Sequence, residues 1–293
     1  MKNYKQIQSY IDDINLPHPK LKSFYIVEYE AYNTDLNYEE FKYKHQFFEI
    51  SFVLGYDAEI SMNNEKGNIE NHNLIFVSPN QEISWLVNKR YSHAKSYLIL
   101  FHPDFLNHPD FYSIFVKFPF FNRYTNSLYV LNEEKIEALT AMFKTMILEY
   151  NRMDGDSEVL LSAQLQITLT YLKRELDFNQ NLRVKYSRHT QIAQKFEHLV
   201  LKELNPRKTV QYYSNLLNIS AVYLAECIKK STQKTFKEII DDFSLLKAKG
   251  MLRNPENSIQ LISDELGFSE RNSFSRFFKK QTGITPSEYI KTK

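Results

Sequence analysis

The pattern of apolar and polar residues divides the chain near residue 131. Before this point, short runs of β-branched and aromatic residues alternate with clusters of Asn, Gly, Pro and charged residues, which is typical of strands joined by turns. The predicted strands cover residues 24–27, 47–54, 58–62, 74–77 and 97–101. Many short strands at close spacing predict a barrel or a sandwich.

From Asn132 onward the apolar residues recur at helical spacing. Asn132 is a good helix cap, and the two glutamates that follow it suit the positive end of a helix dipole. After a break at residues 154–156, a second helix carries two apolar rows on different faces. The first row is Leu161, Leu165, Leu169, Leu172 and Leu176, and the second is Ala163, Ile167 and Tyr171. We expect the leucine row to pair two subunits in a homodimer. The alternative is that both rows pack inside one subunit.

The last third of the chain contains an internal repeat. Residues 229–238 match residues 279–288 at an offset of 50, and the apolar residues upstream match at an offset of 49. A repeat of this kind indicates that one supersecondary unit is built twice. The pattern predicts a helix, a tight turn and a second helix in each copy, at about 208–231 and 257–281.

The turn of the second copy has the residues that a sharp junction between helices needs. Gly267 permits a left-handed backbone, and Phe268 fills the angle between the two helices. In the first copy these positions are Asn218 and Ile219, and Ser220 is expected to cap the next helix. Two helices at a steep angle, with cations on the outer side, are the geometry that places a helix in a major groove. A plain helical bundle is the alternative.

Charge is distributed unevenly along the chain. The whole sequence of 293 residues has a net charge of +2. Residues 184–293 hold 19 Lys and Arg against 11 Asp and Glu, whereas residues 1–183 hold 18 against 24. A basic segment on an acidic remainder suggests a polyanionic partner for that segment alone, the alternative being a lysine-rich solvated surface.

Composition narrows the protein class further. Hydrophobic residues make up 43% of the chain, but no run approaches the roughly 20 apolar residues that a bilayer span needs. No apolar signal region follows the N-terminus. Cys227 is the single cysteine, so neither an internal disulfide nor a thiolate zinc cluster is expected. We therefore expect a cytoplasmic protein without a membrane partner.

The second copy and its surroundings resemble the signature of the AraC/XylS transcription regulators. The resemblance rests on residues 259–269, 274–280 and 282–289, and it extends over about 190–290. The N-terminal part is similar to that family's small cupin-like sensor, mainly in residues 47–55, the Phe76-Val77-Ser78-Pro79 run and residues 98–103.

The resemblance implies an α+β multidomain protein in three parts. Residues 1–131 would form a cupin-like β-barrel sensor, and residues 132–182 a helical dimerisation segment with a linker. Residues 183–293 would form an all-α DNA-binding domain with two helix-turn-helix units. The implied function is sequence-specific transcription regulation controlled by a small effector. The alternative is a regulator whose barrel is only a ligandless dimerisation or interaction module.

Carried over residue by residue, the resemblance assigns two sets of DNA contacts. The base-reading positions are Val222, Ala225 and Glu226 in the first copy and Arg271, Asn272, Ser275 and Arg276 in the second. Lys229, Lys230, Lys279 and Lys280 are expected to touch phosphates or, alternatively, to form a solvated face. The sequence departs from the family where Glu226 replaces a frequent Arg and Gln233 a frequent Gly. A carboxylate can accept from cytosine N4, but it repels phosphates.

The barrel is expected to sense rather than to catalyse. Cupin enzymes hold a metal with a histidine pair and a carboxylate, whereas the matching region here offers only His45 and Glu49. We therefore expect no enzyme activity, no metal and no cofactor. The resemblance places effector contacts at Leu54, Trp85, Ser96 and Leu98, which suit a small, largely apolar or planar ligand. Double-stranded DNA is the expected partner, and RNA polymerase is a further candidate.

Overall fold

The computed structural model describes residues 1–29, 41–62, 65–106, 111–121, 128–176 and 187–291. The chain forms two compact units, each discontinuous in sequence. Unit 1 comprises Met1–Asn107 and Phe120–Lys185, and unit 2 comprises His108–Pro119 and Tyr186–Lys293. The short segment His108–Pro119, which we expected in the barrel, thus belongs to unit 2. No helix in the described part of the chain is long and apolar enough to cross a membrane.

Unit 1 is built on one seven-stranded sheet. Its strands are β1 (Lys2–Tyr4), β2 (Phe24–Tyr29), β3 (Phe41–His45), β4 (Phe48–Met62), β5 (Glu65–Val77), β6 (Ile83–Phe101) and β7 (Leu128–Val130). Their order is β1-β3-β6-β4-β5-β7, with β2 also beside β6. β1 runs parallel to β3, and the other pairs are antiparallel. The α+β class is confirmed, but within the described residues the sheet is an open path, not the closed barrel we predicted.

Strand β4 is longer than predicted, because it continues through a glycine at which the sequence predicts a break between two strands. Residues 47–54 and 58–62 were predicted as separate strands, yet both lie in β4, with a register shift between Leu54 and Tyr56. Gly55 sits at this shift with φ +77°, and a Cβ there would come within 2.7 Å of the Ala94 backbone. Glycine therefore allows a bulge in which the strand bends without ending.

Three helices complete unit 1: α1 (Ile7–Asp13), α3 (Glu133–Arg152) and α4 (Ser157–Glu175). The predicted cap is present, since the Asn132 side chain accepts from the Lys135 backbone N–H at 3.0 Å. Phe143 of α3 packs against Phe52 and Tyr97 on one face of the sheet, with ring centroids 5.7 and 5.6 Å apart. Aromatic contacts of this kind anchor α3 on the sheet.

The leucine row of α4 is part of the core of unit 1, which corrects the interface that we predicted. The exposed fractions of Leu161, Leu165, Leu169, Leu172 and Leu176 are 0, 0, 0, 1 and 6%. Ile167 of the second row is 61% exposed, and Ala163 is exposed as well. Periodicity could identify two apolar faces, but it could not tell which of them the protomer itself covers.

Unit 2 is helical. Its elements are α2 (Phe111–Lys117), α5 (Arg188–Lys202), α6 (Val210–Leu216), α7 (Ala221–Thr232), α8 (Phe236–Met251), α9 (Ile259–Glu265), α10 (Arg271–Thr282) and α11 (Pro286–Lys291). The pairs α6–α7 and α9–α10 lie within two residues of the predicted units at 208–231 and 257–281. The long helix α8 connects the two copies.

Replacing Leu165 with Ala should lower the free energy of unfolding of unit 1 by about 2–5 kcal/mol, because it opens a cavity in a buried row. Trp85, the single tryptophan, lies in unit 1, so its fluorescence during urea unfolding follows this unit. The matched control is Ile167→Ala on the exposed face, which should change stability by less than about 0.5 kcal/mol. Equal losses for the two variants would contradict the assignment of faces.

Candidate nucleic-acid interface

Both copies of the repeat fold by the same local rules. Thr209 caps α6 and Ser258 caps α9, each accepting from a backbone N–H in the first turn. The predicted cap Ser220 accepts from the Tyr223 N–H at 3.1 Å and starts α7. These hydroxyls satisfy donors that the first helical turn leaves without a partner. The first helix of each copy is therefore fixed at its start by sequence-local bonds.

The turn between the helices is also the same in both copies. Asn218 and Gly267 occupy equivalent positions with φ 54° and +75°, in the left-handed region. The next residue, Ile219 or Phe268, donates its N–H to a carbonyl of the preceding helix at 3.1 or 2.9 Å. Asn tolerates this conformation better than most residues that have a side chain. The sharp turn therefore forms with either residue.

A contact with another loop explains why the second turn has Gly rather than Asn. A Cβ on Gly267 would lie 2.9 Å from Oδ1 of Asn205, in the loop before α6. This oxygen also accepts from the Arg207 N–H at 2.9 Å. A larger residue would displace Asn205 from its bond. The turn of the second copy therefore packs against the loop that precedes the first copy.

The second helix of each copy buries one face and leaves the other bare. Leu224 and Ile228 of α7 are fully buried, as are Phe274 and Phe278 of α10. Ala248 of α8 and Leu252, which follows the end of this helix, belong to the same core cluster as the two phenylalanines. Residues 222–226 of α7 and 272–276 of α10 show the same order of exposed, half-buried and buried positions.

The predicted base-reading residues lie on the bare faces. Val222, Glu226, Arg271, Asn272 and Arg276 are exposed, whereas Ala225 and Ser275 are half-buried at equivalent positions. Val222 is 80% exposed, which is unusual for a large apolar side chain in a packed domain. The four lysines at the ends of α7 and α10 are also exposed.

The two copies differ in how their charges are engaged. In α7, Glu226 pairs with Lys230 at 2.6 Å, and Lys229 donates to the backbone carbonyl of Gln233 at 2.8 Å. In α10, the side-chain ammonium groups of Lys279 and Lys280 make no hydrogen bond or ion pair with any described residue. The Lys230 ammonium lowers the pKa of Glu226, and Glu226 in turn raises the pKa of Lys230. The positive charge on the bare face of α7 is thus partly neutralised by Glu226 of the same helix.

The residues that follow α7 and α10 repeat as well. Thr235 and Glu238 form a reciprocal capping box at the start of α8, and Thr285 and Glu288 form the same bonds at α11. These bonds lower the pKa of both glutamates. Gln233 ends α7 with φ 58°, where Gly283 ends α10. The unusual Gln233 therefore adopts the backbone conformation of the glycine it replaces.

The predicted effector residues of unit 1 do not share one face. Ser96 and Leu98 alternate with the residues that pack on α3, so both lie on the opposite face of β6, together with Glu49 of β4. Leu54 lies on the other face of β4, because it is an odd number of residues from Glu49. The structure thus separates Leu54 from Ser96 and Leu98.

A buried polar network that the sequence did not predict lies on the face that carries Glu49. Its carboxylate accepts from Ser51 Oγ at 2.7 Å and from the Tyr43 hydroxyl at 3.3 Å. His45 Nε2 lies 3.0 Å from the same carboxylate, and the Trp85 indole N–H donates to Tyr43 at 3.3 Å. The spacing of His45 and Glu49 was the available signal, and we had considered it only as an incomplete metal site. Across the described ranges, no group of three His, Cys, Asp or Glu could hold a metal ion.

Unit 2 is thus a tandem helix-turn-helix domain. A family profile described as a helix-turn-helix domain matches residues 213–292. The chain is 30% identical over 128 residues to the uncharacterised regulator YobQ of Bacillus subtilis, covering 44% of this chain and 48% of YobQ. It is 39% identical over 75 residues to the Msm operon regulatory protein of Streptococcus mutans, covering 26% and 27%. The chain therefore matches half or less of the length of these relatives. These matches support the resemblance of its C-terminal part to the AraC/XylS transcription regulators.

The chain is also similar to solved structures. The C-terminal domain of AraT from Geobacillus stearothermophilus is 28% identical and covers 36% of this chain and 89% of its own, with a TM-score of 0.35. ToxT from Vibrio cholerae is 16% identical and covers 93% of this chain and 98% of its own, with a TM-score of 0.37.

Replacing Gly267 with Ala should destabilise unit 2 by about 1 kcal/mol more than Gly283→Ala does, since Asn205 would lose its hydrogen bond to Arg207. Gly283 is the matched control, because it has a similar φ of +83° but open space around its Cβ position. Thermal unfolding followed by helical circular dichroism measures both variants.

The excess loss at Gly267 should largely disappear in the Asn205→Ala background, where the clash is relieved. An equal loss for the two glycine variants, with no coupling to Asn205, would contradict the contact.

Proposed function

We propose that the protein is a sequence-specific DNA-binding transcription regulator. The observation that carries the proposal is the repeated pair of recognition helices, each anchored by a buried apolar face and each presenting polar side chains on a bare one. Two such helices about 34 Å apart, one turn of DNA, reach the major groove on one side of the duplex. The basic character of residues 184–293 supports an anionic partner.

In this proposal α10 supplies most of the direct readout. Arg276 is suited to a bidentate pair with guanine O6 and N7, and Asn272 to the equivalent pair with adenine. Helix α7 offers Val222, whose exposed methyl groups suit a thymine methyl, and Glu226, which suits cytosine N4. The first copy would therefore read fewer positions than the second.

The lysines of the two copies differ in the same way. The ammonium groups of Lys279 and Lys280 form no ion pair with a described residue and suit phosphate contacts. Lys230 is held by Glu226, and Lys229 by the end of its own helix. We therefore assign the larger share of phosphate neutralisation to the second copy.

Arg276→Ala should lose roughly 1–3 kcal/mol on an operator and relax specificity at one base position. Lys280→Ala should weaken binding to all sequences about equally and reduce the salt slope by about one counterion. Fluorescence anisotropy on operator and scrambled DNA at several salt concentrations measures both. Lys173→Ala, an exposed lysine of unit 1, controls for the loss of a positive charge. If Arg276→Ala weakens binding to both DNAs equally, Arg276 is not a base reader.

Glu226→Gln should raise the affinity for scrambled DNA and steepen the salt slope by up to about one counterion, because it releases Lys230 for a phosphate. The operator preference should change little. Lys230→Gln is the matched variant and should have the opposite effect, since it leaves an unpaired carboxylate near the phosphates. Loss of operator preference in Glu226→Gln, with unchanged binding to scrambled DNA, would instead identify Glu226 as a reader of cytosine.

Unit 1 is proposed as the sensor, with Trp85, Ser96 and Leu98 near the effector. The Ser96 hydroxyl is fully buried and has no hydrogen-bond partner among the described residues, which supports a ligand contact there. The Glu49 carboxylate on the same face is already engaged by Tyr43, His45 and Ser51, which favours the alternative, a ligandless module. Titration of Trp85 fluorescence with small apolar metabolites distinguishes the two: saturable quenching that Ser96→Val weakens supports sensing, and no response to any compound supports the module.

A homodimer is proposed through the exposed row of α4 rather than through the buried leucines. Val159, Leu160 and Ile167 are 72, 45 and 61% exposed on one side of the helix. Such a row on a helix whose other face is packed suits a second copy of itself. Light scattering of Ile167→Asp should show a monomer with unchanged circular dichroism, and a dimer would exclude this face.

A further inference from the structure

Helix α2 has an unusual place in the chain. It lies between two segments of unit 1, yet it belongs to unit 2. Ile114, Phe115 and Phe118 are 0, 2 and 0% exposed, so one face of this short segment is buried. Unit 2 is thus completed by a helix from the N-terminal half of the sequence.

Helix α2 contacts α5 and α8, the helices on which α7 and α10 pack. The Tyr112 hydroxyl donates to the backbone carbonyl of Leu201 at 3.2 Å. This carbonyl lies in the last turn of α5, where helix carbonyls lack a partner within the helix. The ring of Phe115 meets the ring of Phe243 in α8 edge to face, with centroids 6.3 Å apart and planes at 88°.

Helix α8 is shared by the two copies of the repeat. At its start, the Phe236 ring packs 5.8 Å from Tyr213 of α6 and 5.5 Å from Phe196 of α5. Near its end, α8 contributes Ala248 to the core cluster around α10. Phe243 lies midway between these two cores, so α2 contacts α8 at the junction between the two copies.

We propose that α2 is a coupling helix, whose docking on α5 and α8 holds the two helix-turn-helix units in the arrangement that binds two half-sites at once. When α2 is undocked, each unit still binds its own half-site, but the two no longer act together. The inference rests on the proposed DNA-binding function.

The test compares Phe115→Ala with Val116→Ala in the full chain. Val116 is on the same helix but 47% exposed, so it controls for changes in helix propensity. Hydrogen exchange without DNA should show the amides around Phe243 exchanging at least about tenfold faster in Phe115→Ala and unchanged in Val116→Ala. Tyr112→Phe, a milder change, should give a smaller increase, and it serves if Phe115→Ala does not fold.

The second arm measures anisotropy on DNA with two half-sites and with one. Phe115→Ala should lower affinity for the paired site about tenfold and leave the single site unchanged, because only simultaneous binding needs the docked helix. Unchanged exchange in α8, or faster exchange with unchanged affinity for the paired site, would overturn the proposal. If the wild-type protein binds no DNA, the proposed function fails, and the exchange arm still decides whether α2 stabilises α8.

Discussion

The structure of unit 2 depends on one constraint: a recognition helix must be fixed on one face while its opposite face stays bare. Burial of Leu224 and Ile228 in α7, and of Phe274 and Phe278 in α10, meets the first half of the constraint. The left-handed residue in each turn keeps the opposite face bare, because it directs the second helix of the copy across the first helix instead of along it. The caps, the capping boxes and the shared helix α8 maintain this arrangement at both ends.

The two copies use the same scaffold for different chemistry. In the first copy, Asn218 and Gln233 take left-handed conformations that Gly267 and Gly283 take in the second. On the bare faces, Glu226 and Lys230 neutralise each other where Arg276 and Lys280 stand apart. The two copies therefore share the positions of these side chains but not their electrostatics. The proposed division of DNA readout between the two copies rests on this difference.

The sequence was sufficient wherever the determining interactions are local. Caps, turn residues and the repeat are set within a few positions, so both helix-turn-helix units could be predicted to within two residues. The features that could not be predicted depend on residues that are distant in the sequence. Nothing near Leu165 indicates that its own sheet unit covers it, and nothing near Phe115 indicates a partner at Phe243. The bulge at Gly55 was mistaken for a strand end, because a glycine between apolar runs is equally typical of a turn.

The central claim is that the two helices bind DNA together. Hydroxyl-radical footprinting on DNA selected by the full chain from a random pool tests it most directly. The account predicts two protected segments on one face of the duplex, centred about one helical turn of 10–10.5 base pairs apart, with the more sequence-restricted segment under α10. A single protected segment, or two segments on opposite faces, would contradict it.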